Sequence, residues 1–393
     1  MKFDIIIIGG GMVGAALACA LRNTSLRIAL IDATSATPSN DPRLIALNDS
    51  SCSLLKNLDV WPQLANHSET IAEVHASFRG QFGSTRILAK EIGLASLGSV
   101  VPAKYINAAL YDTLTQIKNV EIIRPAILKN FLQLDTHVSV DIEIHSEVKT
   151  LETKILIGAD GTQSTVRKLL EIPTEFFDYH QSAIVTETTL QRSHHNIAYE
   201  RFHDTGAIAM LPLSENLTAT IWSDSNANVA QLMQLDDADF LNHLQKIFGY
   251  RLGKLKSIGK RYTYPLQMTR AKQQIKQRVI LIGNAAHTLH PIAAQGLNLA
   301  LHEVAVIAEN FAQQKSENLS LQNLLNNTQE QASVRLSHYL PKLFTSDFFI
   351  VKLSRQLGMI GLDICSIAKR RFAKHALGRA GHIPTLILNA EQK

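Results

Sequence analysis

Gly9-Gly10-Gly11-Met12-Val13-Gly14 constrains this chain more than any other stretch, because it joins a strand to a helix. Phe3 to Ile8 is an isoleucine-dominated run, as a strand buried on both faces requires. Met12 to Leu21, rich in alanine and leucine, reads as a helix, and Arg27 to Ile31 as a second buried strand. The result is a βαβ unit with a GxGxxG turn. Gly9 permits the tight turn, Gly11 lets the backbone approach a pyrophosphate, and Gly14 lets the helix lie close against the strand. The helix start offers free N–H groups and its positive dipole end to phosphate. Asp32 ends the second strand about 20 residues beyond Gly11, where an acid reaches a ribose hydroxyl. A glycine-rich turn of a plain α/β domain does not explain that acid.

The chain has 393 residues, more than one core usually serves, so two domains are expected. Hydrophobic residues at 46% and charged residues at 19% suit a globular enzyme. The net charge of +5 is not gathered into a nucleic-acid-sized run, and 6% aromatics argue against a single-strand stacking platform. Cys19, Cys52 and Cys365 are odd in number and widely spaced, so neither a disulfide framework nor a zinc site is expected. No histidine spacing suggests a metal. Lys2, the apolar run and Ala18-Cys19-Ala20 loosely imitate a signal peptide, but Asp4 and three consecutive glycines interrupt it. No targeting or transmembrane segment is read, and a cytoplasmic location is expected.

Ser50 to Leu58 and Tyr105 to Ile117 read as helices, and Ala33 to Asn40 as a polar loop. From about 120 to 158 apolar and polar residues alternate, which suggests antiparallel strands. Residues 171–269 read as strands, with no second glycine-rich turn into a helix, so NAD(P)H is expected to have no Rossmann unit of its own. His194-His195 falls in a polar loop and is expected at the surface. From about 341 the chain reads as helical.

Two further motifs each follow a strand. Gly158-Ala-Asp160-Gly161-Thr-Gln-Ser164-Thr-Val-Arg167 comes after Lys154 to Ile157. Gly283-Asn284-Ala-Ala-His287-Thr-Leu-His-Pro291-Ile-Ala-Ala-Gln295-Gly296-Leu297-Asn298 comes after Arg278 to Ile282. Taken singly, Asp160 and Asn284 equally suit turns or helix caps. In this order, with Asp41-Pro-Arg43 and Met210-Leu-Pro212-Leu213, the motifs resemble those of the single-component FAD-dependent aromatic hydroxylases, the p-hydroxybenzoate hydroxylase-like superfamily. Gly-Asn-Ala-Ala at 283–286 and Thr-Leu-His-Pro at 288–291 look like the ubiquinone-biosynthesis branch, in particular its 2-polyprenyl-6-methoxyphenol hydroxylase subgroup.

The resemblance, which runs nearly the whole chain, implies an α/β fold: a Rossmann-type FAD-binding domain, an interleaved antiparallel-sheet substrate domain and a helical C-terminus. Residues 1–72, 100–170 and 270–340 would form the first, 73–99 and 171–269 the second, and 341–393 the third. It implies that Gly9, Gly11 and Gly14 cradle the FAD pyrophosphate, Asp32 holds the ribose and Arg43 reaches the phosphates. Asn284 would bond the phosphate–ribityl region, and Pro291, Gly296, Leu297 and Asn298 would pass beside the flavin ring. Asp160 and Arg167 belong to a motif linked to FAD and NADPH contacts. NAD(P)H would reduce FAD, and O2 would add to give a flavin C4a-hydroperoxide that hydroxylates a polyprenylated phenol. Backbone N–H groups at Gly296-Leu297 would stabilise charge on the reduced flavin. Ala294 and Glu303 depart from the usual glycine and aspartate. His287 and His290 are expected to be packed or hydrogen-bonded, and no catalytic acid or base is assigned. Alternatives are another ubiquinone intermediate or a soluble phenol as substrate, or a flavin-binding structural subunit of a biosynthetic complex.

Between Phe348 and Gly381 lie Lys352, Arg355, Lys369, Arg370, Arg371, Lys374 and Arg379 against one acid, Asp363. Phe349, Leu353, Leu357, Ile360 and Ile364 make an apolar stripe at helical spacing. Such a segment either covers a core or lies on an anionic membrane, which suggests peripheral binding at an inner membrane face or to a membrane-bound complex.

Overall fold

The computed structural model describes residues 1–35, 41–289, 295–314, 319, 321 and 358–388. Its first sheet is built on five parallel strands in the order β19 (Val279–Leu281), β11 (Glu147–Gly158), β1 (Lys2–Ile8), β2 (Ile28–Ile31) and β8 (Val120–Ile123). Ile5 and Ile7 of β1 face one core and Ile6 and Ile8 another, which is why the strand is apolar at every central position. On the first face pack α1 (Met12–Ala20), α2 (Asp49–Asn57), α4 (Ala103–Leu114) and α8 (Gln295–Ala312), with the short α3 (Trp61–Leu64) beside them. On the second lie β9 (Ile127–Gln133), β10 (Val138–Ile144) and α5 (Thr165–Leu169). The alternating region near 120–158 is therefore mixed. β9, β10 and the first part of β11 pair antiparallel, whereas β8 and the end of β11 join the parallel sheet. β18 (Ile275–Lys276) closes the far edge antiparallel.

The second sheet runs β20 (His287–Thr288), β17 (Tyr262–Ala271), β12 (Thr174–Leu190), β15 (Leu217–Ser225), β14 (Gly206–Ser214), β13 (Ile197–His203), β5 (Glu73–Phe78) and β6 (Ser84–Leu88), with β16 (Leu255–Ile258) beside β12. A third, small sheet of β3 (Leu44–Asn48), β7 (Gly98–Pro102) and β4 (Glu69–Ile71) lies between the other two.

Two helices interrupt the strand-rich region expected at 171–269. They are α6 (Asn226–Gln234) and α7 (Asp237–Phe248), and they cover one face of the second sheet. Asp236 caps α7 by accepting the Asp239 N–H, and Phe240, Leu244 and Phe248 recur four apart on its buried side. His194 is likewise buried, contrary to the surface position expected. Its Nε2 donates to the Ser214 carbonyl at 2.5 Å and its Nδ1 accepts the Asn196 N–H at 3.0 Å, so the ring closes a turn whose next residue, His195, is exposed. Residues 358–364 and α9 (Ser366–Ala376) are helical, as expected for the C-terminal region.

Phe240 is fully buried against Trp222, their ring centroids 5.5 Å apart. Phe240→Ala should destabilise the protein by about 3–5 kcal/mol, read as a lower urea midpoint in far-ultraviolet circular dichroism. An unchanged midpoint would show that α7 is not part of the cooperative core.

Candidate active site

The motif loops all leave the carboxyl ends of parallel strands: Gly9 after β1, Asp32 after β2, Ala159-Asp160 after β11 and Gly283-Asn284 near the end of β19. The chain passes from β1 to β2 on one side, and β11 lies on the other, so a crevice opens at this reversal.

The glycines divide by what a side chain would meet. Gly9 has φ +105°, and a Cβ there would stand 2.5 Å from the Ala159 carbonyl oxygen. A Cβ on Gly14 would lie 1.9 Å from the Gly9 carbonyl oxygen. Gly11 differs, with nothing among the described residues within 4 Å of the corresponding position. Among the described residues the space before Gly11 is open, and α1 starts there with no side-chain cap and no acid in its first turn. Uncapped N–H groups facing open space fit a pyrophosphate.

Gly10, outside the GxGxxG requirement, is constrained as well. A Cβ there would lie 2.2 Å from both the Asp32 carboxylate and the Tyr111 hydroxyl. Tyr111, from α4, reaches the Gly10 carbonyl at 2.8 Å and Asp32 Oδ2 at 3.0 Å. Burial and the neighbouring Asp32 charge push its phenol up to about 12, so it stays protonated and can donate. Thr34 donates from both its N–H and its hydroxyl to Asp32 Oδ1. The carboxylate is thereby oriented, with acceptor capacity left for a ribose hydroxyl.

The second and third motifs are tied together by their own side chains. Asp160 accepts from Ser164 Oγ at 2.6 Å and from the N–H groups of Thr165 and Val166, capping α5. The buried Arg167 donates to the carbonyls of Ala285 and Thr162, each at 2.7 Å, which clamps one loop to the other. Glu303 of α8 accepts the Gly283 N–H at 3.0 Å and faces His287 Nε2 at 2.8 Å, with both side chains buried. Glu303 thus anchors the third motif, and His287 is hydrogen-bonded as expected.

Asn284 is exposed above this loop. Asn298 holds β3 through the Asn48 N–H and the Ala46 carbonyl, each at 2.9 Å. Gly296 and Leu297 are half-buried in the first turn of α8. Arg43 grips Asp41 through Nε and a terminal nitrogen, which leaves half its side chain accessible. Pro291, His290 and Ala294 lie outside the described residues.

A family model described as FAD binding domain matches residues 2–335. The ubiquinone hydroxylase UbiL of Rhodospirillum rubrum is 29% identical, covering 95% of this chain and 89% of its own length. The ubiquinone biosynthesis monooxygenase COQ6 of Danio rerio is 30% identical, covering 88% of this chain and 81% of its own. Among solved structures, p-nitrophenol 4-monooxygenase PnpA from Pseudomonas putida superposes with a TM-score of 0.75 at 16% identity, over 97% of this chain and all of that one. That likeness extends the fold across both large sheets.

The open cradle at Gly11 sets a test. Purified protein should be yellow, with one FAD per chain released on heat denaturation. Gly11→Val should lose most of that flavin, because two methyl groups would fill the space before α1. Full FAD content in the variant would refute the pyrophosphate assignment.

Proposed function

The chain belongs to the FAD-binding domain family, and from that membership we propose that it is a monooxygenase hydroxylating the ring of a polyprenylated phenol in ubiquinone biosynthesis. FAD, when bound, accepts a hydride from NAD(P)H and activates O2. The observation that carries the reading is the uncapped start of α1 facing open space at Gly11, beside an Asp32 already oriented for a ribose. Gly9, Gly11 and Gly14 would shape the cradle and Asp32 would bind the ribose. Arg43, held by Asp41, would meet the phosphates, and Asn284 would meet the phosphate–ribityl region. Gly296, Leu297, Asn298 and Pro291 would flank the flavin ring. Asp160 and Arg167 would act by fixing the loops around the cofactor. The relatives named as ubiquinone hydroxylases support the substrate class.

A lipid-borne phenol requires access to a bilayer, and no helix among the described residues is long and apolar enough to cross one. We extend the proposal to peripheral contact through α9. Three of the cations noted in the sequence are ties within the fold. Lys369 meets Asp363 at 3.2 Å, Arg370 donates to the Glu91 carbonyl, and Arg379 pairs with Asp49. Phe349, Lys352, Leu353, Arg355 and Leu357 lie outside the described residues. Ile364 and Ile367 remain 79% and 67% exposed, and Ile367, Arg371 and Lys374 share one face of α9. Cations near an anionic surface each contribute about 1 kcal/mol.

Two measurements check these readings. A short-tailed 2-prenylated phenol should stimulate NAD(P)H oxidation and appear as a hydroxylated product; flavin content without any such stimulation would refute the enzymatic reading. Flotation with anionic liposomes should recover the protein at low salt, and Arg371→Gln with Lys374→Gln should weaken recovery. Equal recovery of protein and variant would exclude this face as the contact.

A further inference from the structure

A row of paired residues crosses seven strands of the second sheet: Thr85, Ala76, Glu200, Ala209, Ile221, Val185 and Tyr262. Partners in register share a face, so these side chains stand on one side. The opposite side belongs to the helices: Tyr199 packs edge-on against Phe248 of α7, and Arg201 donates to the Ile247 carbonyl.

Glu200 therefore looks away from the helices, with Ala198 and Phe202 as neighbours along its strand. Ala198 lies in one apolar cluster with Leu44 and Ala46 of β3 and Val100 of β7. β3 is the strand that Asn298 binds at the start of α8, in the segment assigned to the flavin ring. Phe202 is covered by Met359. The acid thus stands between two closed apolar contacts, on the face turned toward the proposed flavin side. Around it Ala76, Ala209, Ile221 and Val185 are only half-buried, whereas Ile184, Ile208, Met210 and Trp222 on the helix side are buried. Both flanking strands place an alanine directly beside the acid, Ala76 on β5 and Ala209 on β14.

Among the described residues Glu200 has no hydrogen-bond or ion-pair partner. A half-buried carboxylate without a partner is costly, and a native one calls for an explanation. No cation faces it from the neighbouring strands. Among the described residues, the other ionisable groups of these strands on that face are Tyr262, four strands away, Tyr264, which lies near Arg43, and Glu187 on β12, which is exposed; the segment over Phe202 adds Asp363, held by the Arg86 N–H and Lys369. Burial alone pushes the Glu200 carboxyl up to about 7.

Resting on the hydroxylase reading above, we propose that Glu200 is a catalytic residue that accepts a hydrogen bond from the substrate's ring hydroxyl and takes its proton. The phenol O–H bond breaks, its electron pair stays on the ring oxygen, and the proton forms the neutral carboxylic acid of Glu200. The ring gains electron density when the oxygen atom is delivered, and the apolar floor holds the ring over the acid. The base works only when ionised, so activity should rise with pH through the region near 7, where this carboxyl loses its proton.

The test measures product formation with a short-tailed 2-prenylated phenol against pH, with FAD content and circular dichroism as folding controls. Glu200→Gln should lower kcat/KM by about 100-fold or more and abolish the acid limb, while Glu200→Asp should retain the limb. A Glu200→Gln variant with the parent's kcat/KM and acid limb overturns the assignment. The unsubstituted protein supplies a second arm, in which the O-methyl ether should bind at least 10-fold more weakly than the free phenol by flavin difference spectra. Equal binding also overturns the assignment, even if the variants fold poorly. An unsubstituted protein that no prenylated phenol stimulates defeats the hydroxylase reading and this role with it.

Discussion

The approach of Gly14 to the Gly9 carbonyl is the contact from which the rest of the site follows. It lays α1 against the turn after β1, so that the helix start points across the carboxyl edge of the sheet. From there Val13 meets Gly283, where a Cβ would be only 3.2 Å from a Val13 methyl, and Gly9 meets Ala159. One helix position thereby sets the spacing of three loops. Overpacking at such a point usually costs about 1–3 kcal/mol. Its larger effect here would be to move all three loops away from a shared ligand.

Charged and polar side chains finish the frame, and most act on backbone rather than on open space. Arg167 binds two carbonyls, Asp160 three donors, Glu303 a backbone N–H and Asn298 an edge of β3. Hydrogen bonds involving a charged group contribute about 1.5–3 kcal/mol each, and here they hold loops that carry little apolar surface. The geometry offered to a cofactor is therefore preorganised, with backbone N–H groups as its main donors and Asp32 as an oriented acceptor.

What was legible in the sequence is what local chemistry encodes. Glycine spacing, the isoleucine run of β1 and an acid after β2 each act within one βαβ unit, and the structure assembles that unit as read. Partners distant in the chain were not legible. Tyr111 reaches Asp32 across 79 positions, and Arg167 reaches Ala285 across 118. His194 looked like a surface residue because its acceptor, Ser214, lies 20 positions on, at the end of β14. The helix α7 had a readable cap and apolar spacing, but the β-rich composition around it outweighed them. Alternation places Glu200 with Ala198 and Phe202, yet only the packing of β3 and Met359 shows which way that face looks.

The C-terminal segment has the same logic, since its basic residues were readable as charge but not as ties. Thr85 donates to the Met359 carbonyl and the Arg86 N–H to Asp363, which fastens residues 358–364 to the second sheet. Further on, Arg379 pairs with Asp49 at 2.5 Å, Thr385 donates to Glu309, and Asn57 donates to the carbonyls of Leu386 and Leu388. The segment thus bridges the second sheet and the helices α2 and α8. Arg379 and Asp49 are both largely buried, and separating such a pair leaves a charge uncompensated at about 3–5 kcal/mol. A surface that drew this segment off the protein would have to supply that energy. Any membrane contact therefore works with the strap docked, through the exposed Ile364 and Ile367 and through Arg371 and Lys374, whose side chains have no hydrogen bond or ion pair among the described residues.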